Sequence, residues 1–283
     1  MLELQKYRPM PESQPHTGPR PQPPTGRHNA LLRELRRTVS HGTLTADDCF
    51  LVEGVRLLEE ALRSGVRLHT VFFSQSAGTR VDRLLPQINK KVERLLLPEK
   101  TFNSIVASET PQGVAALVHR KKHSLEDVLT LEAPLLIVAA GLQDPGNLGT
   151  LLRSAEAFGA NGVVIGEETV SVFNPKTIRA TAGSIFRLPI LQMQIEELLP
   201  KLRARGLRLV ATSSHKGSRL DEADLSGPLA IFIGNEGSGL PRKLLAQLDA
   251  SVVIPQAAHV ESLNAGVAAG IVLYEAARQR AKQ

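Results

Sequence analysis

One cysteine, Cys49, stands in a chain of 283 residues, so no disulfide can form within it. It lies in DDCFLVEG with no histidine close by in sequence, and it reads as a small buried hydrophobe, not a nucleophile. No stretch approaches the ~20 unbroken apolar residues of a membrane-spanning helix. The first residues, MLELQKYRPMPES, lack the apolar core of a signal peptide. A cytoplasmic protein with no membrane partner is expected. The patterns C-x-x-C, H-E-x-x-H and G-x-S-x-G are missing, as are paired carboxylates, so neither a metal nor a nucleophilic serine is expected. His259 has no ligand partner at suitable spacing and reads as a local hydrogen bonder.

Hydrophobic residues make up 42% of the chain, enough for a substantial core without disulfides or metal. The formal charge of +6 is uneven: residues 26–130 hold 16 Lys and Arg against 12 Asp and Glu, residues 131–283 hold 15 against 14. The surplus in the first half fits an anionic partner or an ordinary soluble surface equally well. Residues 1–25 contain seven prolines and read as a disordered tail.

Folded structure is expected from NALLRELRRTV (29–39), where leucines recur on one helical face. A short strand and an amphipathic helix follow in CFLVEGVRLLEEALRSG (49–65), with Leu57, Leu58, Ala61 and Leu62 as the apolar stripe and Gly65 as the stop. Strands at LHTVFFSQ, VERLLLP and GVAALVH, with helices between them, complete a small α/β domain over 26–120. The polar segment 121–134, ending in proline, reads as a linker. Residues 135–283 then alternate strands at 135–140, 162–166, 186–190, 208–214, 229–234 and 250–255 with single helices starting near 147, 175, 193, 239 and 264. That rhythm predicts a mostly parallel sheet with helices on both faces, and ligands beyond the carboxyl ends of its strands.

Three strand-end loops carry the chemistry. In GLQDPGNLGTLLRSAEAFG, Asn147 is placed to cap a helix whose apolar face is Leu148, Leu151, Leu152 and Ala155. Arg153 stands either as a contact to phosphate or as an i,i+3 partner of Glu156. In IFIGNEGSGLP (231–241), glycines bracket Asn235 and Glu236, and Glu236 either orients a partner side chain or caps its own helix. In VVIPQAAHVESLNAGVAAG, Ser262 or Asn264 caps the last helix. The bare start of that helix, AGVAAG, fits a tight subunit or cofactor contact. Lys176 and Arg179, in VFNPKTIRATAG, read as a phosphate contact or as a charged helix face. The glycine spacing after LLIVAAG is wrong for a dinucleotide-binding oxidoreductase.

Together the three loops resemble the SpoU/TrmH family of RNA ribose 2′-O-methyltransferases, within the SPOUT class. The first motif, N-x-G-x-x-x-R, stands as Asn147, Gly149 and Arg153; the second as Gly234, Asn235, Glu236 and Gly237; the third as IPQAAHVESLN (254–264). The resemblance extends over nearly all of 26–283. It implies an L30e-like RNA-binding domain at 26–120, a deep trefoil knot within the catalytic domain, a homodimer through that domain, and S-adenosyl-L-methionine as cofactor. Gly234, Ile254 and Leu263, with Thr212 as neighbour, are implied as the cofactor contacts. Arg153 is implied to stabilise charge at the target hydroxyl or its phosphate, with Glu236 and Asn147 setting its surroundings and Ser262 and Asn264 shaping the substrate side. The target implied first is 23S rRNA; tRNA and a catalytically silent role in ribosome assembly are the alternatives. Two positions depart from the pattern: Gln256 stands where methionine is usual and Ala258 where glycine is usual. A Cβ at a positive-φ glycine position costs on the order of 1 kcal/mol, which cofactor binding is expected to survive.

Overall fold

The computed structural model describes residues 20–257 and 262–281. The expectations for Ala258 and His259, and for most of the proline-rich tail, lie outside these residues. The chain divides into two compact units, one ending at Lys121 and the other beginning at Lys122.

The first unit runs α1 (His28–His41), β1 (Cys49–Glu53), α2 (Val55–Arg63), β2 (Leu68–Ser74), α3 (Thr79–Leu84), β3 (Glu93–Leu97), α4 (Glu99–Asn103) and β4 (Val114–His119). Its four strands lie in the order β1-β4-β2-β3. β4 pairs antiparallel with both neighbours and β2 pairs parallel with β3. Leu35, Phe72, Leu97, Phe102 and Ile105 close the core on one side. The tail assignment is corrected at its end: Gln22 forms a parallel bridge to Leu95 and exchanges backbone bonds with Arg94 and Leu96. Prolines on either side do not prevent this, because the bonding groups belong to Gln22 itself.

Cys49 has a neighbour that local sequence does not show. The β1–β4 register sets it opposite His119, and Sγ lies 3.2 Å from Nδ1. Burial pushes the thiol up to about 11 and the imidazole down, so the pair is neutral and no thiolate forms at ordinary pH. The buried, unreactive reading stands, although the argument from histidine's distance does not.

The second unit runs α5 (Leu125–Leu129), β5 (Leu135–Ala139), α6 (Pro145–Ala157), β6 (Gly162–Ile165), α7 (Pro175–Ala180), β7 (Ile190–Gln192), α8 (Ile195–Ala204), β8 (Arg208–Ser213), β9 (Ser218–Arg219), β10 (Leu229–Ile233), α9 (Arg242–Leu245), β11 (Ala250–Val253) and α10 (Ala265–Arg280). The strand order is β7-β6-β5-β10-β8-β11-β9, parallel at every described pairing. Alternate residues of β5 feed opposite cores: Leu135, Ile137 and Ala139 on one face, Leu136 and Val138 on the other.

Two sequence expectations change here. The 121–134 linker contains α5, closed by a capping box between Ser124 and Asp127, and its Leu125, Val128 and Leu129 are buried in the second core. The strand expected at 186–190 begins only at Ile190. Arg187 and Leu188 bond back to Ser184, holding a tight turn that the alternation in FRLPI conceals. Among the described residues no helix is long and apolar enough to cross a membrane.

Candidate active site

The site gathers at the carboxyl ends of β5, β8, β10 and β11, where the sheet reverses its direction of strand addition. α6 begins there. Its cap is Asp144, whose Oδ1 accepts from the backbone N–H of Asn147 at 2.8 Å, with Pro145 in the first turn. Asn147 is therefore not the cap, as the sequence led one to expect. It sits inside the first turn, and its side chain is released for other contacts.

Those contacts join the three loops. Asn147 Nδ2 donates to Glu236 Oε1 at 3.0 Å, and Asn147 Oδ1 accepts from Asn264 Nδ2 at 2.7 Å. Glu236 also accepts from the backbone N–H groups of Asp144 at 3.3 Å and Gln143 at 3.4 Å. Burial alone would raise its pKa, but the bonds from Asn147 and these amides outweigh it and hold the carboxyl below its usual range. Glu236 thus fastens the amino end of α6 instead of capping a helix of its own. Asn264 does cap α10, its Oδ1 accepting from Gly266 and Val267 at 3.0 and 3.2 Å. Asn235 anchors the loop itself: Nδ2 reaches Gly141 O at 3.0 Å while Oδ1 accepts from Gly237 N at 2.9 Å.

Beside this network opens a cavity of about 440 Å³. Thr212, Gly234, Ile254, Leu263 and Ser262 line it, together with Glu236 and Gln256. Its walls combine apolar side chains from β10, β11 and α10 with hydroxyls, the mixed lining of a small-molecule site. Ser213, Ser214 and His215 extend the lining past the end of β8. Strand-end position is the sequence signal that marks these three beside Thr212. An adenosyl group with a polar amino-acid tail fits a lining of this character and size. Among the described residues no group of three or more His, Cys, Asp and Glu is arranged to hold a metal ion.

Arg153 stands apart. It is exposed, and among the described residues it makes no hydrogen bond or ion pair. Glu156, its candidate partner, pairs instead with Arg187. Lys176 is joined to Asp144 at 3.2 Å, and Arg179 is exposed on the same helix.

The small residues of the motifs serve packing. A Cβ on Gly149 would lie 2.4 Å from Ala180 Cβ and 2.7 Å from Thr177 O, so this glycine lets α6 and α7 touch. A Cβ on Gly234 would strike the backbone of Gly239 at 2.4 Å, where the 235–239 loop folds back on itself. The bare start of α10 lies on α6 of the same chain: Gly266 faces Thr150 and the carbonyl of Asn147, and Gly270 faces Ser154. The tight contact expected of AGVAAG is thus made within one chain. The other face of α10 exposes Val267, Ile271 and Tyr274 at 49%, 36% and 56%.

Residues 134–274 match the model of the SpoU rRNA methylase family, and residues 51–124 match that of the RNA 2′-O ribose methyltransferase substrate-binding domain. The 23S rRNA (guanosine(2553)-2′-O)-methyltransferase RlmP of Bacillus subtilis is 32% identical over 246 residues, covering 87% of this chain and 95% of that protein. A solved rRNA methyltransferase from Sinorhizobium meliloti with AdoMet bound superposes with a TM-score of 0.79 at 30% identity, covering 91% and 97% of the two chains. The SpoU methyltransferase AviRb from Streptomyces viridochromogenes, also in complex with AdoMet, gives 0.78 at 28% identity over 89% and 98%.

Proposed function

The chain belongs to the SpoU family of S-adenosylmethionine-dependent RNA ribose 2′-O-methyltransferases, and we propose that its target is a ribose in 23S rRNA. The observation that carries the substrate is the likeness to an rRNA-modifying protein along 95% of that protein's length, through both units. The net positive first unit is in keeping with a large folded RNA.

In this reading Thr212, Gly234, Ile254 and Leu263 hold the cofactor, whose sulfonium supplies an already reactive methyl group. The residues of the chain orient the 2′-oxygen toward that methyl and lower the cost of losing its proton. Arg153 stabilises negative charge developing on the hydroxyl or an adjoining phosphate; a guanidinium is too basic to take the proton itself. Asn147, Glu236 and Asn264 act one step back, fixing the amino end of α6 to the cavity loops, and Ser262 faces the substrate.

A homodimer fits the same reading. Val267, Ile271 and Tyr274 form an apolar stripe spaced for one face of α10, and a second copy of the unit is the occupant we assign to it. Such a copy would bring to Arg153 groups that the described residues of its own chain do not offer, and a cytoplasmic location fits the same reading. The insertion of β10 between β5 and β8, with loops from β10 and β11 building one cavity, supports the deep knot.

The test incubates the protein with methyl-labelled cofactor and, separately, ribosomal RNA and tRNA, then maps label through nuclease-resistant dinucleotides. Label at a ribose of 23S rRNA is the expected result. Label confined to tRNA would overturn the substrate, and no transfer together with no cofactor binding would overturn the activity.

A further inference from the structure

The cavity contains an acceptor that the described residues leave unused. Gln256 lines it two residues beyond Ile254, and its Oε1 is buried without a hydrogen-bond partner among the described residues. An amide oxygen removed from water and left unpaired is destabilising, and native structures rarely keep one without a reason. Several other polar groups around the cavity are occupied by described residues: Thr212 Oγ1 donates to Phe232 O, Asn235 closes its own loop, and Glu236 accepts from Asn147 and two amides. Among the described residues nothing satisfies Gln256 Oε1, which leaves it open to a ligand in the cavity.

The chemistry of the position narrows what that something is. The side chain is neutral, so it is a poor counterpart for an ammonium, which calls for a carboxylate. Its neighbours in the lining include Val252, Ile254 and Leu263, walls suited to the faces of a flat heteroaromatic ring. A primary amide carries an acceptor and a donor side by side in one plane, matching the amino group and adjacent ring nitrogen of adenine. We propose that Gln256 reads the adenine edge of the cofactor, its Oε1 accepting from the exocyclic amine. This inference rests on the reading of the cavity as the S-adenosylmethionine site. Methionine, the residue that the motif usually carries here, has no comparable acceptor, so the contact distinguishes this chain within the pattern.

The test is calorimetric binding of two ligands to the full chain and to Gln256→Met: S-adenosylhomocysteine, and its 6-deamino purine analogue, in which a hydrogen replaces the amine. The variant should bind the adenosyl ligand about five-fold more weakly, as the loss of one neutral hydrogen bond implies. Its affinity for the deamino ligand should change by no more than about two-fold, since that ligand has no amine to lose. Equal weakening toward both ligands would show that Gln256 only shapes the cavity and would overturn the proposal, as would unchanged affinity for both. If the wild-type chain binds neither ligand, the cofactor reading itself fails, an outcome distinct from failure of the Gln256 contact alone.

Discussion

Two polar side chains on α6, six residues apart, live in opposite circumstances. Asn147 is held from both sides, by Glu236 and by Asn264, and the network continues to backbone amides of the preceding loop. Arg153 lies about 9 Å further along the axis and about 120° around it. It is exposed and has no partner among the described residues. A side chain with many internal bonds is part of the scaffold, whereas a charge without them is available to a ligand. In the proposed reading the chain builds its own cofactor-side geometry and leaves Arg153 for the RNA or for a second subunit.

The largest test of that contrast is Arg153→Lys. The variant keeps the charge but loses the bidentate fork, and turnover should fall by about 100-fold, the scale of losing a group that stabilises transition-state charge. Affinity for S-adenosylhomocysteine should stay within about two-fold of wild type, because Arg153 is not among the residues that line the cavity. Parallel loss in steady-state kinetics and calorimetry would mean that Arg153 belongs to the scaffold after all, and the distinction between the two positions would collapse.

Gly149 tests the helix from a third side. In Gly149→Ala the new methyl would lie 2.4 Å from Ala180 Cβ and 2.7 Å from Thr177 O. Forcing α6 away from α7 should cost about 1–3 kcal/mol in urea denaturation. Adding Ala180→Gly should restore part of that, since it removes one of the two obstructing atoms. An unaffected single variant would show that the helices give way freely, and the motif glycine would then need another reason.

Much of this was legible in the sequence, and the parts that were not share a cause. The parallel sheet, the strand ends and the apolar face of α6 are periodic features, and period is what a sequence displays. The partners are not periodic. His119 reaches Cys49 through strand register, 70 residues away, and Arg187 takes Glu156 from Arg153 through a turn that FRLPI disguises as strand. The bare start of α10 reads from composition as a subunit or cofactor contact, whereas the structure sets it against α6 of the same chain, because composition does not tell whose backbone approaches. Asp144, by contrast, is readable: an Asp directly before Pro at a helix start is a cap signature, and it stands three residues ahead of Asn147.

Glu236→Gln tests the fastened end directly. The substitution replaces one acceptor oxygen with a donor that must face amides or Asn147 Nδ2, and should cost about 2 kcal/mol in denaturation at neutral pH. The pH dependence has a definite sign. The folded carboxyl titrates below its unfolded value, so its contribution is present above the ordinary carboxylate range and is lost as pH falls through the lowered folded value. The gap between wild type and variant should therefore narrow on acidification. A gap that stayed constant or widened would mean that the ionised form is not what the network stabilises.

The smallest expected effect separates the cap from the network that sits on it. Asp144→Ala removes the oxygen that accepts from Asn147 N and should cost about 1 kcal/mol. Its ion pair with Lys176 is exposed on both sides and adds little to that figure. Asp144→Asn retains a capping oxygen and should recover most of the loss. Cofactor affinity should hardly change in either variant, because Glu236 still binds the Asp144 amide and the Asn147 side chain from the other loop. If Asp144→Ala instead weakened cofactor binding while Asp144→Asn did not, the cap and the network would be one device, and the order at the amino end of α6 would begin with the aspartate and not with Glu236.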